Sequence, residues 1–240
     1  MTIILLEAII AASVAGSLCG YLGVYLNRLR LITLGFAVAH GAIAGASIAF
    51  MIGYNIEILA FFFGILAAII IETLHTKFGV ERDLASMFVF SFSSAVAIIA
   101  IYMSPTMLLT SDIAIVILWG SILTMTPSKI LVLSSILVVL FVYTKAFRLE
   151  LDSLLFDPKL AESEGVNTEF HAAILVLISA GAIAIMLRFI GGLLLFSLVF
   201  GPAVSATTIT YRRQGLVGAL IGTSAGIIAV SYTHLRAHET

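Results

Sequence analysis

The sequence predicts an all-α polytopic membrane bundle, with about eight spanning helices and one short re-entrant segment. Three observations carry that prediction. Of the 240 residues, 61% are hydrophobic and 10% charged, whereas soluble domains hold about 45–50% apolar and about 25% charged residues. The apolar residues fall in long runs, near the roughly 20 residues a spanning helix needs, and not in half-buried stripes. The basic residues gather in alternate connections.

The runs lie at 3–26, 31–52, 56–74, 84–104, 128–147, 171–190, 191–211 and 215–232. The first opens MTIILLEAII. With no basic leader and no small-residue cleavage site, it reads as a span and not as a signal peptide. The second is rich in Gly, Ala and Ser around His40. The third closes on Glu72, His75 and Lys77, and the fourth follows Arg82. Segment 113–125 (IAIVILWGSILTM) has 13 residues. As a helix it reaches about 20 Å, short of a hydrocarbon core about 30 Å thick. It therefore reads as re-entrant.

Charge gives the orientation. Arg28 and Arg30 follow the first span, Lys77 and Arg82 the third, Lys145, Arg148 and Lys159 the fifth, and Arg212 and Arg213 the seventh. Connections 53–55 and 104–112 contain no Lys or Arg. Basic loops stay cytoplasmic. An outside N-terminus, with 113–125 dipping in and returning, puts every basic loop on one face.

The longest polar stretch is 148–170, RLELDSLLFDPKLAESEGVNTEF. Asp157-Pro158 signals a turn and helix start, Lys159 to Glu164 a short helix, and Gly165 its cap. A plain solvated loop is the simpler reading, but a short capped helix suits a docking surface for a cytoplasmic partner. Residues 1–230 are expected to form one domain. The remaining SYTHLRAHET reads as an atypical tail, either native or foreign. Its His234 and His238 have i, i+4 spacing for a metal, and a polar terminus is the stronger reading.

No G-x-x-x-x-G-K-[ST] loop is present, so the chain is not expected to hydrolyse ATP. The pairs Gly16/Gly20, Gly41/Gly45 and Gly218/Gly222/Gly226 have the small-xxx-small spacing for close helix packing in lipid. The lone Cys19 excludes a disulfide framework. Ionisable residues inside spans are functional candidates. His40, near the midplane among small residues, is the leading one for a metal pathway, with a hydrogen-bonded scaffold role as its equal rival. Glu7, Glu57 and Asp112 lie toward the outer side and read as structural or solvated charges. Glu72 and His75 are expected to pair with each other or with Lys77 and Arg82, and Arg188 to snorkel.

Several segments resemble the permease subunits of bacterial ABC importers for zinc, manganese and iron. SLLFDPKLAESEGVN (153–167) is similar to the family's D-P-x-x-A-x-x-x-G cytoplasmic loop, through Asp157, Pro158, Ala161 and Gly165. RFIGGLLLFSLVFGPAVSA (188–206) resembles the following span, through Gly191, Leu193, Leu194, Pro202, Ala203 and Ala206. RLRLITLGFAVAHGAIAGASIAF (28–50) looks like the second-span signature, and DIAIVILWGSIL (112–123) like the D-x-x-x-x-x-x-x-G-S-x-L segment. Two departures stand out. Many members carry Asp four residues before the histidine, where this chain has Phe36, and the family's usual last span is replaced by the tail.

The resemblance implies a homodimeric, multi-pass permease in the cell membrane. Two ATP-binding cassette subunits would supply hydrolysis, and an extracytoplasmic metal-binding protein would deliver the substrate. It makes His40 a metal-pathway candidate, and Asp157, Pro158, Ala161, Glu164 and Gly165 the contact with the ATPase. This chain is expected to bind no cofactor and no nucleic acid. A permease for a metal chelate or cobalamin-like cofactor is the alternative, kept open by Phe36. An ion-coupled secondary transporter would usually show two similar halves, which the sequence lacks.

Overall fold

The computed structural model describes residues 2–104, 126–210 and 213–237. The described residues form helices α1 (Thr2–Arg28), α2 (Ile32–Ile52), α3 (Ile56–Phe78), α4 (Arg82–Tyr102), α5 (Pro127–Ala146), α6 (Arg148–Phe156), α7 (Pro158–Ser163), α8 (Thr168–Ile190), α9 (Gly192–Ile209) and α10 (Gln214–Ala237). Eight of them, all but α6 and α7, are long and apolar enough to cross a membrane. An all-helical solution is forced by lipid, where each backbone N–H and C=O must bond within its own segment. Hydroxyls inside the spans follow the same rule. Ser13 donates to the Ile9 carbonyl at 2.7 Å and Ser47 to that of Ile43 at 2.9 Å.

Helix ends are set by local chemistry. Asn55 caps α3 by accepting from the N–H groups of Glu57 and Ile58 at 3.0 and 3.1 Å. Gly79, at φ +66°, closes α3 and donates to the His75 carbonyl. Stretch 148–170 departs from a loop with one short helix. Residues 148–156 form α6, whose Leu151 and Leu154 are buried, before α7 begins.

The connections give the bundle a basic end. Arg28 donates to Gln214 at 2.9 Å, joining the close of α1 to the start of α10. Thr33 at the start of α2 bonds Asp83 at the start of α4. Arg82 reaches Glu72 and Glu169, on α3 and α8. At the opposite end Lys129, early in α5, pairs with Glu57 at the start of α3 (2.7 Å) and lies 4.5 Å over the Phe189 ring. Lys129 is thus a basic residue on the face expected to carry none, where carboxylate and ring both offset its charge. Glu57, expected as a structural or solvated charge, is 45% exposed and forms a surface ion pair. Because α3 and α4 form an antiparallel hairpin, α4 ends at the face where α5 begins. The re-entrant reading of 113–125, Asp112, Arg212 and the Arg188 side chain lie outside the described residues. So do His234 and His238 as side chains, although the α10 backbone continues past Val230.

α1 is the central helix, packed on α10, α9 and α5, while α2 packs on α3 and α4. Its largest fully buried side chains include Leu18, Leu22 and Leu26, joined by Leu34, Ile183 and Leu195 from neighbouring spans. The α1–α10 seam is backbone against backbone. A Cβ on Gly16 would strike the Gly222 carbonyl, and one on Gly20 would strike that of Gly218. Ser17 and Thr223 share a hydrogen bond of 2.6 Å beside them. On α2, a Cβ on Gly41 would lie 2.8 Å from that of Ala67. The glycine pairs are packing devices.

Two tests follow from this packing. Gly222→Ile should force α1 from α10 and sharply lower the thermal midpoint in detergent. Gly201→Ala, whose Cβ meets nothing within 4 Å, should stay within about 0.5 kcal/mol or gain slightly; equal effects would refute the seam. Cysteines replacing the exposed Tyr54 and Ser163 should label with an impermeant reagent from opposite sides of the membrane, against little background because Cys19 is buried. Labelling of both from one side would overturn the arrangement of the ends.

Candidate permeation and coupling sites

Two places concentrate chemistry. The first is His40, near the middle of α2 and only partly buried. Its Nδ1 lies 3.0 Å from the Phe36 carbonyl oxygen, one turn earlier. A carbonyl only accepts, so in a neutral ring Nδ1 carries the proton and Nε2 keeps its lone pair. That is the tautomer a metal-binding imidazole needs, with the other nitrogen donating to a backbone carbonyl. The ring meets Phe90 of α4 edge-on, with centroids 4.4 Å apart. Among the described residues no group of three or more His, Cys, Asp or Glu is placed to hold an ion. His40 is an isolated ligand candidate.

Phe36, on the same face one turn away, stacks on Phe196 of α9 at 4.1 Å between centroids, and Phe196 stacks in turn on Phe200 at 6.2 Å. The position at which the family resemblance implies Asp is therefore built into an aromatic row. Sequence alone could not find that row, because Phe36 lies 160 and more positions from the other two.

The second place is the α6–α7 unit at the basic end. Asp157 caps α7, accepting from the N–H groups of Lys159 (2.9 Å) and Leu160 (3.3 Å), and Pro158 occupies the first turn where no N–H is needed. Glu164 closes the helix and Gly165 follows at φ +87°, donating to the Glu162 carbonyl at 3.0 Å. Ala161 is buried beneath. Asp157, Pro158, Ala161, Glu164 and Gly165 thus form one compact turn of structure. The reading of the sequence missed two exposed apolar side chains beside them, Phe156 at 70% and Leu160 at 49% exposure, which sit outside any apolar run.

Beside α7, at the same end, four ionisable groups meet. Arg82 holds Glu72 through both carboxylate oxygens, at 2.9 and 3.1 Å, and donates to Glu169 at 2.7 Å. His75 Nε2 lies 3.1 Å from Glu169, and its Nδ1 lies 2.7 Å from the Val80 carbonyl oxygen. Of the expected pairs, Glu72–Arg82 is present; His75 instead bonds Glu169 and the Val80 carbonyl, and Lys77 is exposed. Glu169, contributed from α8, joins the cluster.

Comparison with known proteins places this architecture. The manganese transport system membrane protein MntC of Listeria monocytogenes is 26% identical over 231 residues, covering 95% of this chain and 81% of that protein. The chelated iron transport system membrane protein YfeC of Yersinia pestis is 26% identical over 229 residues, covering 95% and 76%. The solved structure of PsaBC from Streptococcus pneumoniae in complex with Fab shares the fold, with TM-score 0.74 at 21% identity over 97% of this chain and 90% of that one. Residues 1–234 match the ABC 3 transport family. The chain belongs to that family, as a multi-pass membrane permease.

Proposed function

We propose that this permease imports a divalent metal ion, manganese or iron, across the cell membrane, passing it between two copies of the chain. Separate ATPase subunits would drive the cycle, and an external binding protein would deliver the metal. The observation that carries the reading is His40, a partly exposed mid-membrane imidazole whose tautomer leaves Nε2 open to a passing ion. The names of the relatives, manganese and chelated iron systems, agree with it. Apolar side chains exposed along α4, among them Phe88 and Phe92, offer surface to lipid or to a second copy.

The α6–α7 unit is the proposed contact for the ATPase. Its cap geometry fixes a short helix at the basic end, with Phe156 and Leu160 exposed for an apolar cleft. A helix of this kind transmits movement only if its own ends are held, and Asp157 and Gly165 hold them.

His40→Ala should cut uptake of labelled manganese and ferrous iron by about tenfold or more, while insertion in the membrane is unchanged. His40→Asn and His40→Gln keep hydrogen bonding but are poor ligands, so they should fail as well. Normal uptake by those two would return His40 to the scaffold. Gly165→Val forces a β-branched residue to positive φ, a strain of about 1–3 kcal/mol. The ATPase should then no longer co-purify, although the permease still inserts. Undiminished co-purification would exclude this turn as the contact.

A further inference from the structure

We propose that Glu169 is a positioning residue linking the short helix α7 to the α3–α4 hairpin, so that displacement of α7 moves the inner ends of those spans. The inference rests on α7 being the ATPase contact. The packing contacts of α7 are with α6 and α8. A cleft of about 670 Å³, lined among others by Arg30, His75, Asp83, Pro158, Glu162 and Glu169, opens between α7 and the hairpin. α8 borders that space, packs on both α7 and α3, and at its first turn bonds α7 on one side and the hairpin on the other.

The link can be followed atom by atom. Thr168 Oγ1, at the start of α8, donates to Glu162 Oε1 of α7 at 2.6 Å. The next residue, Glu169, accepts from Arg82 Nη2 at 2.7 Å through Oε2, and its Oε1 lies 3.1 Å from His75 Nε2. Both nitrogens of His75 face acceptors, the Glu169 carboxylate and the Val80 carbonyl.

The two halves differ in permanence. The Arg82–Glu72 pair is bidentate, with side chains 16% and 11% exposed, and welds the α3–α4 turn. Glu169 is 50% exposed. A carboxylate with that access to water exchanges partners at small cost. A fixed guanidinium facing a releasable carboxylate is a latch, closed in this structure.

The test uses the full complex of permease, ATPase and binding protein in lipid nanodiscs, with spin labels replacing Lys77 on α3 and Ser163 on α7. The wild type should show a narrow distance distribution with and without ATP, because the two elements move together. Glu169→Gln should broaden it and make it nucleotide-dependent. Reconstituted in liposomes with manganese or ferrous iron as probe, Glu169→Gln and Arg82→Gln should each assemble and hydrolyse ATP while metal carried per ATP falls about tenfold. Because Arg82 also holds Glu72, the double variant should be no worse than Arg82→Gln alone. A distribution unaltered by Glu169→Gln would overturn the latch. So would effects that add, or assembly and hydrolysis falling in step with transport, the mark of a merely structural role. If the wild type carries neither metal, the proposed substrate class fails, and the distance distributions alone decide the latch.

Discussion

Direct contact of backbones along the α1–α10 seam is the constraint on which the rest of the arrangement depends. Lipid tails are as apolar as leucine, so burial of apolar side chains gives no net force between spans, and close packing must supply it. Glycines at 16, 20, 218 and 222 let two helices touch where any Cβ would collide. That contact fixes the central helix, and α9 and α5 take their places against it. A second small-residue seam, through Gly41 and Gly45 against Phe63, Ala67 and Leu59, seats α2 on α3. His40 rides on the helix that this seam holds.

The seams have little freedom, since glycine contacts cannot slide without clashes. Freedom to move therefore concentrates at the helix ends. There the chain uses hydrogen bonds and ion pairs, whose partners can change without opening voids. The basic end holds Arg82 with its two carboxylates, the Thr168–Glu162 bond and the open cleft beside α7. The opposite end holds the Glu57–Lys129 pair. α3 is tied at both ends, once to α5 and once through Arg82 to α8. It is the span placed to feel both faces.

What the sequence made legible was local. Runs of apolar residues marked all eight spans, because each span must satisfy its own backbone. The glycine spacings marked the seams, and Asp157-Pro158 with Gly165 marked α7, because capping is decided within a few residues. α6 escaped notice: RLELDSLLF is only nine residues long and buries just Leu151 and Leu154, too little for a periodic signal. Lys129 read as part of an apolar run until Glu57, 72 positions earlier, was found beside it. Glu169 lies 87 positions from Arg82. Pairings at such separation follow from the fold and leave no mark in the local pattern.

The Phe36–His40 face carries the clearest consequence for mechanism. A carboxylate at position 36 would add a charged ligand one turn from the imidazole, and two ligands on a rigid helix face hold an ion far more firmly than one. Here the position is a phenyl ring stacked on Phe196, so His40 has no carboxylate one turn before it. Under the proposed function, tight capture in the membrane would work against release, because the ion would have to leave on the far side once the path opens, and high affinity would belong to the delivering protein. The His40 imidazole is held by the Phe36 carbonyl on one side and the Phe90 ring on the other, so its orientation is fixed by the fold; under the proposed function it would take an ion in passing and give it up.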